Sequence, residues 1–219
     1  MTVEDGIAWL TLRRPQSRNA LDPDLVESAA ALLDKLPDGV GGLVLAGEGP
    51  AFCVGADLHF FDRIINAGTV EEQLPPLLDA LHGLTRKMRA LPVPTVAAVE
   101  GVAAGGGIGL ACCCDLRVVG ASTVFVPAFG ALALSPDTGT SYHLTRALGT
   151  HAANAAYLRN RRIPAAELAA CGLADEVVPD GEVWAAAQRL AVEVAGAAPA
   201  AVLATRRLVD AAPGHSFEE

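Results

Sequence analysis

The stretch that most constrains the fold of this chain runs from residue 94 to residue 119, where a β-branched apolar run meets a glycine cluster and then a run of small apolar residues. Thr95–Val99 is too short and too β-branched for an independent helix, and its bounding by Pro94 and Gly101 predicts a strand buried on both faces. Three consecutive glycines at 105–107 then stand where a helix should begin. Their backbone N–H groups can be approached closely at the positive end of the helix dipole, so the turn suits a negatively charged oxygen.

This glycine turn does not match the common phosphate-binding motifs. No Gly-Lys-Ser/Thr follows it, and the Gly-x-Gly-x-x-Gly spacing with an acidic residue about 20 positions further on is not met. An N–H group that stabilises an oxyanion is the better interpretation, and it requires a second donor from elsewhere in the chain. From these residues alone, a flexible loop or a tight helix-to-sheet contact is the alternative.

Composition narrows the class of protein. The 219 residues, 52% of them hydrophobic, are enough for one large α/β domain. A net charge of −9 argues against a general nucleic-acid or acidic-membrane binder. The longest apolar runs are too short for a membrane span, and no basic segment precedes an apolar one at the N-terminus. The five cysteines, three of them at 112–114, have neither a disulfide framework nor zinc-ligand spacing. We therefore expect a soluble, cytoplasmic protein with reduced, packed cysteines and no metal.

Strands and helices alternate along most of the chain, which predicts βαβ units and a largely parallel sheet. Asp22 followed by Pro23 is a good N-cap and N1 pair for the first long helix. Asp57 and Asp115 are expected to cap backbone N–H groups. Strands are predicted at residues 6–13, 42–46, 95–99, 116–119, 123–126 and 175–178, and helices at 22–39, 77–91, 152–159, 165–171, 183–195 and 199–211. Residues 49–58 are predicted to form a strand, then a loop and the start of a helix near Asp57.

Three other segments have weaker patterns. Residues 60–79 are polar, include Gly68, Pro75 and Pro76, and have poor periodicity, so we predict a mobile covering segment that can serve as a lid. The segment 135–138 is typical of a capped helix N-terminus. A further helix is expected to begin at residues 216–219.

Three motifs occur in the order and spacing of a known family: Arg-Asn-Ala-Leu at 18–21, Phe-Cys-Val-Gly-Ala-Asp-Leu at 52–58, and the glycine-rich stretch at 101–115. Together they resemble the crotonase family, the enoyl-CoA hydratases and isomerases, over nearly the whole chain. The resemblance implies an α/β fold, a crotonase-like spiral of ββα units with a C-terminal helical region. It implies an acyl-CoA-binding core at residues 1–190, the start of an incomplete helical oligomerisation segment at 191–219, and a homotrimer or hexamer.

The resemblance also implies where the ligand is held. Family members bind acyl-CoA thioesters and hold the thioester oxygen with two backbone N–H groups, which here correspond to Ala56 and Gly106. No cofactor is implied beyond the coenzyme A moiety of the substrate. The positions that contact coenzyme A fall on Arg18, Ala20, Val54, Ala56 and Leu58. For Arg18, an exposed loop charge is an equally good interpretation.

The catalytic carboxylates depart from the family pattern. A hydratase resembling this chain carries glutamates at positions 109 and 129, but this chain has Gly109 and Phe129. Hydration needs groups that position and deprotonate water and then protonate carbon, and neither residue can do this. Asp137 stands where isomerases and 4-chlorobenzoyl-CoA dehalogenases of the family also carry an aspartate. One carboxylate suffices for a proton shift, although a helix N-cap is the alternative role for Asp137.

Three hypotheses follow. In the first, the protein is an enoyl-CoA isomerase in which Asp137 is the acid/base and Ala56 and Gly106 hold the oxyanion. In the second, it is hydratase-like, or an aryl-CoA dehalogenase or hydrolase in which Asp137 is the nucleophile and His82 activates water. The tryptophan that dehalogenases place near the substrate ring corresponds to Phe129, and His82 is alternatively a partly exposed helix residue. In the third, the protein binds acyl-CoA without turnover, for which the missing glutamates are the evidence.

Overall fold

Two β-sheets form the frame of the computed structural model, which describes residues 1–214 and residue 216. Neighbouring strands are parallel, apart from the antiparallel pairs β1 with β2 and β8 with β9. The larger sheet contains, in spatial order, β1 (Thr2–Glu4), β2 (Ile7–Leu12), β3 (Gly42–Gly47), β5 (Thr95–Val99), β7 (Leu116–Gly120) and β10 (Glu176–Val178). The smaller sheet contains β4 (Ala51–Cys53), β6 (Val102–Ala104), β8 (Val124–Val126) and β9 (Ile163–Pro164).

Helices connect and cover these strands, so the predicted alternation and the mainly parallel pairing are confirmed. The short strands β1, β6 and β9 are absent from the sequence-based prediction. Turns of 3₁₀-helix lie at Pro15–Ser17, Gly130–Leu132 and Ala212–Gly214. The α-helices are α1 (Pro23–Leu33), α2 (Leu58–Ala67), α3 (Val70–Ala90), α4 (Gly106–Cys112), α5 (Thr140–Leu148), α6 (Thr150–Leu158), α7 (Ala165–Ala170), α8 (Val183–Val194) and α9 (Pro199–Ala211).

Strand β5 lies inside the larger sheet between β3 and β7, and all five of its residues are buried. Ala97 and Val99 pack into the larger apolar cluster of the protein. Val96 and Ala98, which point to the opposite face, pack into the smaller cluster that includes buried residues of α8. The prediction of a strand buried on both faces is therefore confirmed.

Two helices begin at the aspartates that the sequence predicts as caps. The Asp22 carboxylate accepts a hydrogen bond from the N–H of Leu25 at 2.9 Å. The Asp57 carboxylate accepts from the N–H groups of His59 and Phe60 at 2.9 and 3.4 Å. Losing such a cap typically costs about 1 kcal/mol. These caps fix where α1 starts and where α2 leaves the second motif.

Residues 60–67 and 70–79 are helical, although the poor periodicity of this segment predicts no helix before residue 77; its mobility and its role as a lid stay predictions. Helix α2 ends at Gly68, which has a φ of 68°, and α3 continues through Pro75 and Pro76. A proline inside a helix costs about 3 kcal/mol, but burying one leucine side chain contributes about 1.5–3 kcal/mol. The apolar stripe of α3 offsets the two prolines with four buried residues: Leu77, Leu81, Leu84 and Met88.

Helix α9 is held to the rest of the molecule by Arg206, its one buried residue among those described. The Arg206 guanidinium donates to both oxygens of Asp115, at 2.7 and 2.5 Å, and to the carbonyl of Val93 at 2.7 Å. Asp115 also accepts from the N–H of Thr95 at 2.8 Å, which confirms its bond to backbone. Burial works to raise the pKa of Asp115, but Arg206 and Thr95 hold it below its usual value. The helix predicted at 216–219 falls mostly on residues outside the described part.

The five cysteines are free thiols, and all except Cys171 are buried. Burial raises the pKa of Cys53 to about 12 and that of Cys112 to about 11, so both thiols stay protonated. Within the described residues, no group of three or more His, Cys, Asp or Glu side chains is arranged to hold a metal ion. None of the described helices has the length and apolar character to cross a membrane.

Candidate active site

A cavity of about 360 Å³ opens beside the glycine turn at the start of α4. Helices α2 and α3 form one side of it, and the segment 128–138 forms the other. Its polar groups are few: Arg18, Asp137, Thr138 and the backbone of residues 56, 105 and 106. A mostly apolar cavity with a small number of polar groups is typical of a small-molecule site. Its apolar wall includes Leu21, Val54, Leu58, Phe61, Leu74, Leu77, Leu78, Leu81, Phe129, Leu132 and Leu134.

The two predicted oxyanion donors, Ala56 and Gly106, line this cavity together. The N–H of Leu21 donates to the Gly55 carbonyl at 2.7 Å, and this bond fixes the peptide that precedes Ala56. A Cβ at Gly55, whose φ is 81°, would lie 3.2 Å from the Gly106 nitrogen, so the two segments touch. Neither donor N–H has a hydrogen-bond partner among the described residues. Because Gly106 is the first residue of α4, its N–H also lies at the positive end of the helix dipole.

Asp137 lies before α5 and does not cap it, so the predicted side-chain cap at 135–138 is wrong. Helix α5 begins at Thr140, and Gly139 precedes it in a left-handed conformation without a side-chain bond. The Asp137 carboxylate instead accepts from the Thr138 hydroxyl at 2.8 Å. Its Oδ1 would be 3.7 Å from a Cβ at Gly106. The structure therefore places this carboxylate beside the oxyanion turn.

Burial raises the pKa of Asp137 above its usual value of 3.8. The hydrogen bond from Thr138 and the positive charge of His82 act in the opposite direction and lower it. A carboxylate with a raised pKa is better matched to giving back a proton near neutral pH. The environment of Asp137 thus suits acid/base chemistry.

His82 lies on α3 and is half-buried, but it is not among the residues that line the cavity. Its charge still reaches Asp137, since it contributes to the pKa of that carboxyl group. The structure therefore brings His82 into the surroundings of the site without a described contact to the cavity.

The predicted coenzyme A positions fall in two groups. Arg18, Val54 and Leu58 line the cavity. The N–H of Val54 donates to the Arg18 carbonyl at 3.2 Å, which joins the first motif to the second. Ala20 is 5% exposed and is not among the lining residues. Its carbonyl accepts from the Arg14 guanidinium at 2.7 Å, so its role in this structure is to hold the first motif.

The positions where hydratases carry glutamates offer no acid or base. Gly109 is buried inside α4, and a Cβ there would collide with the carbonyl oxygen of Thr138 and lie 2.9 Å from the Thr138 Cβ. Phe129 lines the cavity, is 4% exposed and packs against Tyr157 with ring centroids 6.2 Å apart. The site therefore presents one carboxylate, Asp137, among its described lining residues.

Sequence reasoning assigns no role to three polar residues whose hydrogen bonds hold the segments around the cavity. Asn19 is fully buried and donates to the carbonyls of residues 48 and 51 at 3.0 and 2.8 Å. Asn160 accepts from the N–H of Ala128 at 2.8 Å and holds that residue at a φ of 60°. Thr138 binds the Asp137 carboxylate. Asn19 belongs to the first motif, which is a signal in the sequence, but the other two contacts depend on the folded chain.

Comparison with known proteins agrees with this geometry. The family model described as enoyl-CoA hydratase/isomerase matches residues 2–215. A Thermus thermophilus protein named as an enoyl-CoA hydratase is 38% identical over 226 residues, which cover 99% of this chain and 86% of the relative. A 4-chlorobenzoyl coenzyme A dehalogenase of Arthrobacter sp is 31% identical over 197 residues, covering 88% of this chain and 70% of the relative.

A solved structure shows the same fold. It is the crystal structure of a Thermobifida fusca YX protein, named as an enoyl-CoA hydratase, in complex with CoA. It matches with a TM-score of 0.86 and 31% sequence identity, covering 99% of this chain and 86% of the other. The family match over nearly all residues, the fold and the paired backbone donors together show that the chain belongs to the crotonase family of acyl-CoA-binding enzymes, the enoyl-CoA hydratases and isomerases.

Proposed function

We propose that this protein is an enoyl-CoA isomerase that moves a β,γ double bond into conjugation with the thioester. The observation that carries the proposal is a single half-buried carboxylate, Asp137, beside two backbone N–H groups without partners among the described residues. A proton shift needs one acid/base group and stabilisation of the enolate oxygen, and this site offers both.

The proposed reaction has two proton transfers. The Asp137 carboxylate takes a proton from the α carbon, and the electron pair moves onto the thioester oxygen as a dienolate forms. The N–H groups of Ala56 and Gly106 hold that oxygen, and one such donor typically lowers the barrier by about 2.7–4 kcal/mol. Protonated Asp137 then gives the proton to the γ carbon, the thioester carbonyl re-forms, and the double bond ends between the α and β carbons.

The surroundings of the site support an acyl-CoA with an apolar acyl group. The leucine-rich wall of α3 offers no described charge to an acyl chain. Arg18 is exposed at the cavity and suits a phosphate of coenzyme A. The complex of the Thermobifida fusca relative with CoA supports the same ligand class.

A dehalogenase or hydrolase is the second candidate, and the Arthrobacter dehalogenase relative favours it. In that reaction the Asp137 carboxylate attacks the aryl carbon, the carbon–chlorine bond breaks and chloride leaves, and water activated by His82 then hydrolyses the resulting aryl ester. Two observations argue against it. His82 does not line the cavity, and Phe129 stands where dehalogenases place a tryptophan.

The proposal is tested by incubating the protein with β,γ-enoyl-CoA thioesters of increasing chain length and following the absorbance of the conjugated product. We expect Asp137→Asn to lower turnover by about 10³-fold, within the usual range for a lost acid/base, and to retain CoA binding in calorimetry. Asp79 is an exposed carboxylate of α3. Asp79→Asn is therefore the matched control and should keep wild-type turnover. Wild-type turnover in the Asp137 variant would contradict the proposal, and binding without any turnover would favour a non-catalytic acyl-CoA protein.

A further inference from the structure

Thr138 has an unusual backbone conformation next to the proposed acid/base. Its φ is 51° and its side chain is 1% exposed. A positive φ is uncommon for any residue except glycine, and for a β-branched residue it is an outlier. Such conformations persist only where the surrounding structure enforces them, and they concentrate at functional sites. The contacts of Thr138 therefore indicate what the conformation achieves.

The first contact is with the carboxylate. The Thr138 hydroxyl donates to Oδ1 of Asp137 at 2.8 Å. Oδ2 of Asp137 has no hydrogen-bond partner within the described residues. One carboxylate oxygen is thus held in place, and the other is available to exchange a proton with a ligand in the cavity.

The second contact is with helix α4. The Thr138 carbonyl occupies the space where a Cβ of Gly109 would stand, and the Thr138 Cβ and Cγ2 would both lie 2.9 Å from that Cβ. The Thr138 hydroxyl oxygen would lie 3.0 Å from a Cβ at Gly106. Packing of Thr138 onto these two glycines sets the distance between the Asp137 segment and the oxyanion turn.

We propose that Thr138 is a positioning residue, whose hydroxyl fixes one oxygen of Asp137 for proton transfer while its backbone fills the space of a side chain at position 109. Thr138 thereby fills the space beside Gly109, the position where a hydratase carries a glutamate, and it orients the one carboxylate that the site has, Asp137. The role in turnover rests on the isomerase function proposed above. The contact itself is independent of turnover.

Among the described residues, two other titratable groups, His82 and Tyr157, interact with the charge of Asp137, and neither is mutated in the test. His82 on α3 lowers the pKa of Asp137 through its positive charge. Tyr157 on α6 interacts with the Asp137 charge, and burial raises the pKa of its phenol to about 12, so it stays neutral across the range of the experiment.

The test compares Thr138→Val, which keeps the shape and β-branching but removes the hydroxyl, with Thr138→Ser, which keeps the hydroxyl and removes the methyl group. The Asp137 carboxyl is titrated by carbon NMR in ¹³C-aspartate-labelled protein without ligand, and Asp137→Asn assigns the signal. Thr138→Val should raise the pKa of Asp137 by about one unit, the scale of a lost hydrogen bond to a charged group. Thr138→Ser should titrate as the wild type does.

Turnover is measured on the same three proteins. We expect kcat to fall about tenfold in Thr138→Val with little change in KM, and the acidic limb of the pH profile to move upward with the NMR titration. An unchanged titration in Thr138→Val, or an equal shift in Thr138→Ser, would overturn the proposal, because packing alone would then explain Thr138. If the Asp137 titration differs between the wild type and Thr138→Val as expected, but the wild type isomerises no β,γ-enoyl-CoA, only the proposed function is overturned.

Discussion

Replacing Gly109 by alanine is expected to destabilise this protein, although the same change stabilises most helices. In a helix interior, alanine is favoured over glycine by about 1 kcal/mol. At position 109 the new methyl group would collide with the Thr138 carbonyl and lie 2.9 Å from the Thr138 Cβ and Cγ2. Overpacking costs about 1–3 kcal/mol, and the upper end applies because the neighbour is backbone. The net expectation is a loss of about 2 kcal/mol, since overpacking exceeds helix propensity.

Gly83 provides a matched control. It lies in the interior of α3, and no atom is within 4 Å of the position of its Cβ beyond the helix's own backbone. Gly83→Ala should therefore raise the free energy of unfolding by up to about 1 kcal/mol. Both variants are compared with the wild type by urea unfolding monitored by circular dichroism. A Gly109→Ala protein as stable as the wild type, beside a stabilised Gly83→Ala protein, would refute the steric argument.

Four further predictions concern catalysis, stability and assembly. Crotonyl-CoA hydration should be far below an ordinary turnover of about 10 s⁻¹. Gly109→Glu should not restore hydration, because position 109 has no room for a side chain. A rate of tens per second in either protein would contradict this prediction. Arg206→Met should lower the free energy of unfolding in urea by about 3 kcal/mol, the lower end for a broken buried ion pair, because Asp115 is partly exposed. Arg207→Met, at an exposed position of the same helix, should leave the free energy of unfolding unchanged. Equal effects of the two variants would count against the anchoring role of Arg206. Burial raises the pKa of Asp137, so the native state binds more protons than the unfolded chain at pH values between 3.8 and the raised pKa. The free energy of unfolding therefore falls as the pH rises through that window. Asp137→Asn should be more stable than the wild type above the window and should lose this advantage below it. Light scattering at micromolar concentration should show a trimer or hexamer, and a monomer would contradict the family-based expectation of assembly.

The sequence predicts those parts of the fold whose local pattern agrees with their tertiary environment. Strand β5 is an example, because its apolar run and its bounding residues already specify a short buried strand. Helix α3 is the opposite case. Pro75 and Pro76 disfavour a helix locally, and the apolar stripe that outweighs them is buried only by packing against the rest of the protein. In α3, the free energy gained by burying the apolar stripe therefore exceeds the cost of the two prolines.

The candidate site divides in the same way. The family resemblance of the three motifs assigns Ala56 and Gly106 as oxyanion donors, and the structure places both residues at the same cavity. The relation of Thr138 to Gly109 is not visible in the sequence, since it depends on two distant segments in contact and on a positive φ at a threonine. The same contact explains physically why position 109 lacks a side chain.

The central claim is that Asp137 moves a proton and does not attack carbon. It is tested most directly by a single turnover in H₂¹⁸O with β,γ-enoyl-CoA and 4-chlorobenzoyl-CoA both present, followed by mass spectrometry of the peptide that contains Asp137. A proton shift exchanges no oxygen, so the peptide should keep its natural mass while the enoyl-CoA becomes conjugated. A nucleophilic carboxylate forms an ester that water hydrolyses at the carboxyl carbon. Incorporation of ¹⁸O into Asp137 would contradict the isomerase assignment and establish His82 as the candidate base.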